Sequence, residues 1–306
     1  MERYGVKPVK SLGQNFLADA NIVRKIAELS ELGPDDVVCE IGPGLGALTT
    51  ELASRAGRVI AVEKDARIIP ALEHALAGEG AAAGSGSVAG NVNAAHADFF
   101  DDNLRELPPG ADSAAGNVSI IHADFLEYDL GELPPGYKLT GNLPYYITTP
   151  AIMKAVESQN KPSLIVFMTQ REVARRICAS PGGKDYGAVS VAVQYRCDTK
   201  YAMDVSREVF IPKPNVDSAV IALKTDPGHR GVPKNEALFT AVVKNSFGQR
   251  RKMLRNSLSS LVPDADSLSE AFDKAGVKGT ARAETLSVEE FVALADAIGA
   301  FEYILK

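Results

Sequence analysis

The stretch DDVVCEIGPGLGALTTELASRAGRVIAVE, residues 35–63, decides the fold class. Its two short apolar runs, VVCEI and RVIAVE, flank a glycine-rich turn and a helical segment, so the order is strand, turn, helix, strand. Two strands joined in this way pair in parallel through a right-handed crossover. The stretch therefore predicts an α/β fold built on a parallel sheet.

Further apolar runs continue this pattern. They are VSIIHA (118–123), YKLTGN (137–142), SLIVFMT (163–169) and SAVIAL (218–223), with helical segments between them. From TDPGHRGVPK (225–234) onward the pattern is helical only, with a capping box at Ser287 and Glu290 and a helix stop at Gly276. We therefore expect an α/β domain over residues 1–226 and a small all-α domain over residues 227–306.

Composition limits the class of protein. The chain has 306 residues, of which 45% are hydrophobic and 24% charged, as in ordinary globular proteins. It has no apolar run of membrane-spanning length and no signal-peptide pattern at its start. Its three cysteines are far apart and do not form a metal-binding or disulfide pattern. We expect a cytoplasmic protein with no metal and no membrane association.

The net charge of −6 does not exclude a nucleic-acid partner. Residues 60–136 contain 13 acidic and 3 basic residues, so this segment alone carries −10 and the remainder carries +4. Binding to phosphate depends on local clusters of positive charge rather than on the sum over the chain.

A repeat interrupts the pattern between residues 77 and 136. GNVNAAHADFFDDNLRELPPG (90–110) recurs as GNVSIIHADFLEYDLGELPPG (116–136), with 13 of 21 positions identical. Two copies are too few for a solenoid. We interpret residues 77–115 as an insertion that combines a low-complexity loop with an extra copy. The second copy has Ile120 and Ile121 where the first has alanines, and it predicts the better buried strand.

The glycine-rich turn predicts a nucleoside-binding site. Gly42, Gly44 and Gly46 follow a strand and precede a helix, which allows the backbone to approach a ligand closely. Glu63 ends the next strand, where an acid can accept hydrogen bonds from two ribose hydroxyls. The spacing GxGxG, rather than GxGxxG, favours S-adenosylmethionine over a dinucleotide. The glycines taken alone could be simple turn residues.

Asn142, Leu143, Pro144 and Tyr145 follow the strand YKLTG, at the sheet edge where α/β proteins bind ligands. The Asn142 side-chain oxygen and the Leu143 carbonyl can accept both N–H bonds of an exocyclic amine, while Pro144 fixes the backbone. Tyr145 can stack on the base. This pattern favours methylation of an amino group on a base, although by itself it could be a polar turn.

With these motifs the chain resembles the small-subunit (16S) rRNA adenine-N6,N6-dimethyltransferases over its length, apart from the insertion. The matching segments are GQNFL (13–17), EIGPGLGALT (40–49), VIAVEKD (59–65), HADFL (122–126), GNLPYYITTP (141–150), FMTQREVARR (167–176), FIPKPNVDSAVI (210–221) and FGQRRKMLRNSL (247–258). The resemblance implies a class I, Rossmann-like methyltransferase domain with S-adenosyl-L-methionine as the methyl donor. It also implies a substrate of two adjacent adenosines near the 3′ end of the rRNA in the pre-30S particle.

The resemblance also implies roles for particular residues. Asn15 and Leu17 would hold the methionine part of the cofactor, Gly42 would lie against it, and Glu63 would hold its ribose. Asn142 would contact the cofactor as well as the target amine. The acid of HADF would bind the cofactor adenine, but this motif occurs at both Asp98 and Asp124. We assign Asp124, since its strand is more apolar and leads directly into the Asn142 segment.

Two further groups complete the predicted substrate contacts. Phe210 could face Tyr145 across a flipped adenine, although a core phenylalanine is the alternative. Five cations lie in one helical stretch, with Arg251 and Arg255 on one face, and we expect them to contact rRNA phosphates rather than form only a solvated surface. They are Lys244, Arg250, Arg251, Lys252 and Arg255.

These observations predict an rRNA adenine-N6,N6-dimethyltransferase that acts as a monomer in ribosome biogenesis. The nearest alternative is a large-subunit rRNA adenine methyltransferase of the antibiotic-resistance kind, which shares the core motifs. A second alternative is a non-catalytic RNA-binding assembly or transcription factor on the same fold, because a fold alone does not fix function.

Overall fold

The apolar runs form the strands of a mixed sheet. The computed structural model describes residues 8–9, 12–77, 93–96, 116–225, 230–249 and 251–301, with the backbone alone described for 93–96. The strands are β1 (Phe16–Leu17), β2 (Val37–Ile41), β3 (Arg58–Glu63), β4 (Asn93–His96), β5 (Val118–His122), β6 (Lys138–Asn142), β7 (Leu164–Gln170), β8 (Cys197–Val205), β9 (Phe210–Ile211) and β10 (Ser218–Thr225).

Eight of these strands form one sheet in the order β4-β5-β3-β2-β6-β7-β10-β8. The strands from β4 to β7 pair in parallel, and β10 pairs antiparallel with β7. The short strands β1 and β9 pair separately, with Leu17 opposite Phe210. Parallel strands that neighbour one another in this way place their carboxyl ends at one edge, which is where such sheets bind ligands.

Helices connect the strands and make up most of the chain's last part. They are α1 (Ala20–Leu29), α2 (Ala47–Ala53), α3 (Ile69–Ala77), α4 (Thr148–Glu157), α5 (Arg171–Ile177), α6 (Ala188–Gln194), α7 (Glu236–Gly248), α8 (Leu254–Leu258), α9 (Ala265–Ala275) and α10 (Val288–Gly299). None of the helices in the described ranges is long and apolar enough to cross a lipid bilayer.

The duplicated segment supplies a strand to the sheet. Strand β4, from the first copy, pairs in parallel with β5, from the second, and each residue of β4 lies opposite its own repeat equivalent, from Asn93 with Ser119 to His96 with His122. Ile120 of the second copy is 1% exposed and belongs to the core beneath the sheet. The second copy therefore occupies the interior position, as its isoleucines predict.

The chain divides into two compact units, and the division differs from the predicted one. The first unit holds residues 1–171 and 200–225, and the second holds 172–199 and 226–306. Residues 172–199 join the helices because Tyr186 and Val191 are buried in one apolar cluster with Leu238 and Phe239. Helical periodicity in the sequence identifies an apolar face but does not identify the layer against which that face packs.

The local signals of the helical unit are confirmed at two helices. Ser287 caps α10 by accepting a hydrogen bond from the amide of Glu290, whose side chain accepts one from the amide of Ser287 in return. Gly276 ends α9 in the left-handed conformation, with φ of 66°. Both devices satisfy backbone groups that a helix end leaves without partners.

Candidate functional site

The first unit contains a cavity of about 310 Å³ at the carboxyl ends of the parallel strands. The segments that follow β2, β3, β5 and β6 line it, together with residues 12–17 and Phe210. The antiparallel pair of β1 and β9 brings these last two parts of the wall together, although nearly 200 residues of chain separate them. Every residue that lines this cavity belongs to the first unit.

The three glycines of the turn have different roles. Gly42 and Gly44 line the cavity, whereas Gly46 is the N-cap of α2 and does not. A Cβ atom at Gly44 would lie 3.1 Å from the Phe16 ring, and one at Gly46 would lie 2.9 Å from Leu72 Cδ1. Both glycines also have positive φ, 57° and 85°. Gly46, predicted to contact the cofactor, instead allows α2 to start close to α3.

Glu63 is held in place by backbone amides. Its side chain is 6% exposed and lines the cavity, where Oε1 accepts from the amide of Asp65 at 2.7 Å and Oε2 from the amide of Gly44 at 3.3 Å. Burial raises the pKa of Glu63, and these two amides oppose that rise. The two amides thus fix the carboxylate at the end of β3, and its remaining lone pairs can accept hydrogen bonds from the two hydroxyls of a diol.

Asp124 follows β5, which pairs with β3, so it lies on the same side of the glycine turn as Glu63 and one strand further from it. Its Oδ2 accepts from Lys64 Nζ at 2.5 Å, and its Oδ1 accepts from the amide of Leu126 at 2.9 Å. Burial acts to raise the pKa of Asp124, but the Lys64 hydrogen bond and the Leu126 amide lower it below its usual value. Asp124 therefore lines the cavity as a carboxylate. Its counterpart Asp98 lies outside the described residues.

Glu40 is a cavity residue that the sequence analysis missed. It is 1% exposed, and its Oε2 has no hydrogen-bond partner within the described part of the chain. Burial raises the pKa of Glu40 to about 8, with the nearby Thr49 hydroxyl opposing the rise and Glu63 adding to it. A buried carboxyl without a partner is costly unless a ligand completes it. The signal was present, because Glu40 lies only two residues before Gly42 in the sequence.

The N-terminal segment orients the side chain of Asn142. Asn142 Nδ2 donates to the backbone carbonyl of Asn15 at 2.9 Å, and Asn15 Nδ2 donates to the carbonyl of Gly13 at 3.0 Å. This contact directs the amide nitrogen toward the N-terminal segment and leaves Oδ1, the acceptor atom of the amide, for a ligand. The segment 13–15 thus fixes which end of the Asn142 amide is available.

The rest of the predicted substrate group also lies at the cavity. Leu143 is buried and its amide donates to the carbonyl of Met168. The Tyr145 hydroxyl is 2.9 Å from Ser218 Oγ, and Phe210 is 3% exposed beside the same cavity. Phe210 is therefore both a core residue and a wall of the site, so the two alternatives weighed for it are compatible. Pro144 completes the lining.

The basic cluster lies in the second unit and is not one helical stretch. Helix α7 ends at Gly248 and α8 begins at Leu254, so Arg251 and Lys252 lie between them while Arg255 is on α8. The amides of Leu254 and Arg255 donate to the carbonyls of Ala281 and Gly279, which breaks the helix at this point. The expected shared face of Arg251 and Arg255 is therefore wrong. The described cations Lys244, Arg251, Lys252 and Arg255 are all exposed, and Arg250 is not among the described residues.

The sheet order, the glycine turn after β2 and the acids after β3 and β5 define a class I, Rossmann-like methyltransferase fold with a helical C-terminal region. Among solved structures, that of the 23S rRNA methyltransferase ErmE is similar, with 26% identity, a TM-score of 0.65 and coverage of 93% of this chain and 100% of that chain. A dimethyladenosine transferase from Plasmodium falciparum shares the fold at 21% identity and a TM-score of 0.67, covering 91% and 95% of the two chains.

Sequence comparison then gives the family. The model of the ribosomal RNA adenine dimethylases matches residues 6–299, and the chain belongs to that family. It is 43% identical over 298 residues to the ribosomal RNA small subunit methyltransferase A of Pelotomaculum thermopropionicum, covering 97% of this chain and 93% of that protein. It is 44% identical over 290 residues to the protein of the same name from Moorella thermoacetica, covering 95% and 92%.

Proposed function

We propose that this protein uses S-adenosyl-L-methionine to dimethylate the N6 amines of two adjacent adenosines near the 3′ end of small-subunit (16S) rRNA. The observation that carries the proposal is the orientation of Asn142. Its nitrogen donates to Asn15 and leaves the side-chain oxygen to accept from an exocyclic amine at a cavity lined by acids. With the Leu143 carbonyl it makes two acceptors, which suit the two N–H bonds of an adenine amine better than the single O–H of a hydroxyl or a carbon nucleophile.

The residues of the cavity fit the proposed methyl donor. Glu63 offers acceptors for a ribose diol and Asp124 offers one for an adenine amine, at the ends of the neighbouring strands β3 and β5. The unpartnered oxygen of Glu40 offers a ligand in the cavity one more hydrogen-bonding group. Asn15, Leu17, Gly42 and Gly44 complete the wall. When bound, the donor supplies an electrophilic methyl group on a sulfonium.

The chain's own residues prepare the amine. An adenine amine is a weak nucleophile because its lone pair is delocalised into the ring. Hydrogen bonds to Asn142 Oδ1 and the Leu143 carbonyl favour a pyramidal nitrogen and direct its lone pair toward the methyl group. Tyr145 and Phe210 hold the flipped base, and stacking offsets the cost of extruding it. The amine proton leaves to water, so neither a covalent enzyme intermediate nor a strong base is needed.

Small-subunit rRNA is favoured over large-subunit rRNA by two observations. The relatives at 43% and 44% identity are both small-subunit methyltransferases, whereas ErmE, a 23S rRNA enzyme, shares 26%. The FGQRRKMLRNSL segment of the second unit also resembles the small-subunit branch. The oriented Asn142 argues against a non-catalytic assembly factor. We infer further that the protein works as a monomer on the pre-30S particle in the cytoplasm.

Methyl incorporation tests the substrate. Purified protein and labelled S-adenosylmethionine are incubated with 30S and with 50S subunits that lack the adenine modification. We expect label in the 30S arm only, with primer-extension stops at two adjacent adenosines near the 3′ end. Label in the 50S arm would favour the large-subunit alternative, and absence of label in both would favour a non-catalytic factor.

A further inference from the structure

Tyr146 is an aromatic residue that the proposed mechanism does not use. Five large apolar side chains are exposed in the described part of the chain, and of these only Tyr146, at 55%, lines the cavity. Its neighbour Tyr145 is half-buried with its hydroxyl against Ser218 Oγ. The two tyrosines occupy a turn before α4, so consecutive side chains point in different directions. Tyr146 therefore forms part of the rim rather than the inner wall.

The position of the Tyr146 ring is supported by Gly13. A Cβ atom at Gly13 would lie 3.5 Å from Tyr146 Cδ1 and 3.6 Å from Cε1, in van der Waals contact with one edge of the ring. The same atom would lie 3.4 Å from Pro144 Cβ, so the Gly13 backbone lies close to both residues, with room for one carbon atom between. The segment that orients Asn142 thus also runs beside the Tyr146 ring. An exposed ring whose movement is limited by a neighbouring segment suits stacking, because less conformational freedom is lost on binding.

The surroundings of the ring favour a nucleotide as its occupant. Lys64 extends from the end of β3 with a side chain that is 53% exposed. Lys64 and Tyr146 both line the cavity, where the Lys64 ammonium also donates to Asp124. An aromatic face beside a cation is the arrangement that single-stranded RNA engages by stacking.

We propose that Tyr146 stacks on the nucleotide adjacent to the adenosine in the cavity, and so favours a substrate in which two neighbouring bases are unstacked. This inference rests on the proposed function and adds a contact to it. Tyr145 and Phe210 hold the reacting base, and Tyr146 holds its neighbour at the rim. When the first adenosine leaves and the second enters, Tyr146 can receive the first base without the RNA leaving the protein.

The test replaces the ring and measures steady-state methylation of unmodified 30S subunits. Tyr146→Ala should lower kcat/KM by about 5- to 150-fold, mainly through a higher KM, because base stacking on an aromatic residue is worth that much in affinity. Tyr146→Phe should stay within about twofold of the unchanged protein, because the ring remains. Val216→Ala is the matched control, since it also truncates an exposed apolar side chain in the first unit.

The outcomes separate this inference from the proposed function. Unchanged protein that does not methylate 30S subunits contradicts the proposed function itself. Active unchanged protein together with a fully active Tyr146→Ala overturns only the stacking role. A Tyr146→Phe variant as impaired as the alanine variant would assign the effect to the hydroxyl and also overturn it. Cofactor affinity is measured in parallel, and a loss there would place Tyr146 in the cofactor site instead.

Discussion

At the scale of single residues, the Asn142 amide shows how a contact distant in sequence determines a chemical role. The motif around Asn142 indicates a methylation site but does not say which end of the amide faces the substrate. That information comes from Asn15, 127 residues earlier in the chain, whose backbone carbonyl accepts a hydrogen bond from the amide nitrogen. Leu17 opposite Phe210 places the same segment beside the base-holding aromatics. These pairings depend on tertiary structure, so local sequence patterns do not predict them.

Replacing Asn142 by alanine tests its role directly. Asn142→Ala should lower the methylation rate by orders of magnitude and leave binding of S-adenosylmethionine largely intact, because it removes an oriented contact in the transition state. Single-turnover methylation and cofactor titration measure the two effects. Asn21→Ala, an exposed asparagine on α1, is the control. Turnover close to normal in Asn142→Ala would contradict the proposed mechanism.

Glu40 predicts a dependence of stability on pH. Its pKa in the folded protein, about 8, lies above the usual value of 4.5. Between these values the folded state binds a proton that the unfolded state does not, so the contribution of Glu40 to stability falls as pH rises. Glu40→Gln should remove this fall, and the variant should gain in Tm relative to the unchanged protein between pH 5 and pH 8.

Thermal unfolding across that range is the measurement, without cofactor. The raised pKa of Glu63 also makes stability fall with pH, but it does so in both proteins. The difference in Tm between the two proteins therefore reports on Glu40. Glu28→Gln, at an exposed position of α1, is the matched control and should follow the unchanged protein. If Tm changed with pH in the same way in Glu40→Gln and in the unchanged protein, Glu40 would not be held protonated in the folded state.

At the scale of elements, the buried strands could be predicted and the short or half-exposed ones could not. Strands β2, β3, β5, β6, β7 and β10 all coincide with apolar runs in the sequence. Strand β8 is fully buried only at its two end residues, so its sequence carries no apolar run. Strands β1 and β9 have two residues each, too few for any pattern. Residues of these two strands line the cavity. Sequence patterns therefore predict the part of the site at the ends of the parallel strands better than the part formed by β1 and β9.

The duplication predicts tolerance of a deletion. Removing residues 90–115 takes away β4 and leaves β5 paired with β3. A shorter connection changes the closure entropy by only about 0.6 kcal/mol for each halving of its length. The shortened protein should therefore unfold cooperatively and methylate normally. Circular dichroism and methyl incorporation measure this, and loss of either would show that the first copy is required.

The two copies of HADF predict opposite effects for their acids. Asp124→Ala should weaken cofactor binding by about 1–3 kcal/mol, because it removes an acceptor from a buried partner. Asp98→Ala should leave binding unchanged, and Glu127→Ala, which removes an exposed acid three residues after Asp124, is the control. Cofactor titration of the three variants is the measurement. Sensitivity at Asp98 with none at Asp124 would mean that the first copy forms the site.

At the scale of the whole molecule, local charge matters more than the net charge of −6. The exposed cations Lys244, Arg251, Lys252 and Arg255 belong to the second unit, whereas the carboxylates of the cavity belong to the first. If the cluster contacts phosphate, Arg251→Ala should weaken rRNA binding and reduce the salt dependence of the affinity by about one contact. Cofactor affinity should not change.

Binding measured at several salt concentrations tests this role. Lys161→Ala, which removes an exposed cation from the first unit, is the control and should leave the salt dependence as it is. If the affinity of Arg251→Ala and of the unchanged protein depended on salt in the same way, Arg251 would not contact phosphate and the cluster would be only a solvated surface.

The central claim is that the cavity dimethylates two adjacent adenosines of small-subunit rRNA. Mass spectrometry of the nucleosides from unmodified 30S subunits, treated with protein and S-adenosylmethionine, measures it most directly. The account predicts two N6,N6-dimethyladenosines per subunit with the unchanged protein and almost none with Asn142→Ala. Monomethyladenosine as the only product, or no methylated adenosine at all, would contradict it.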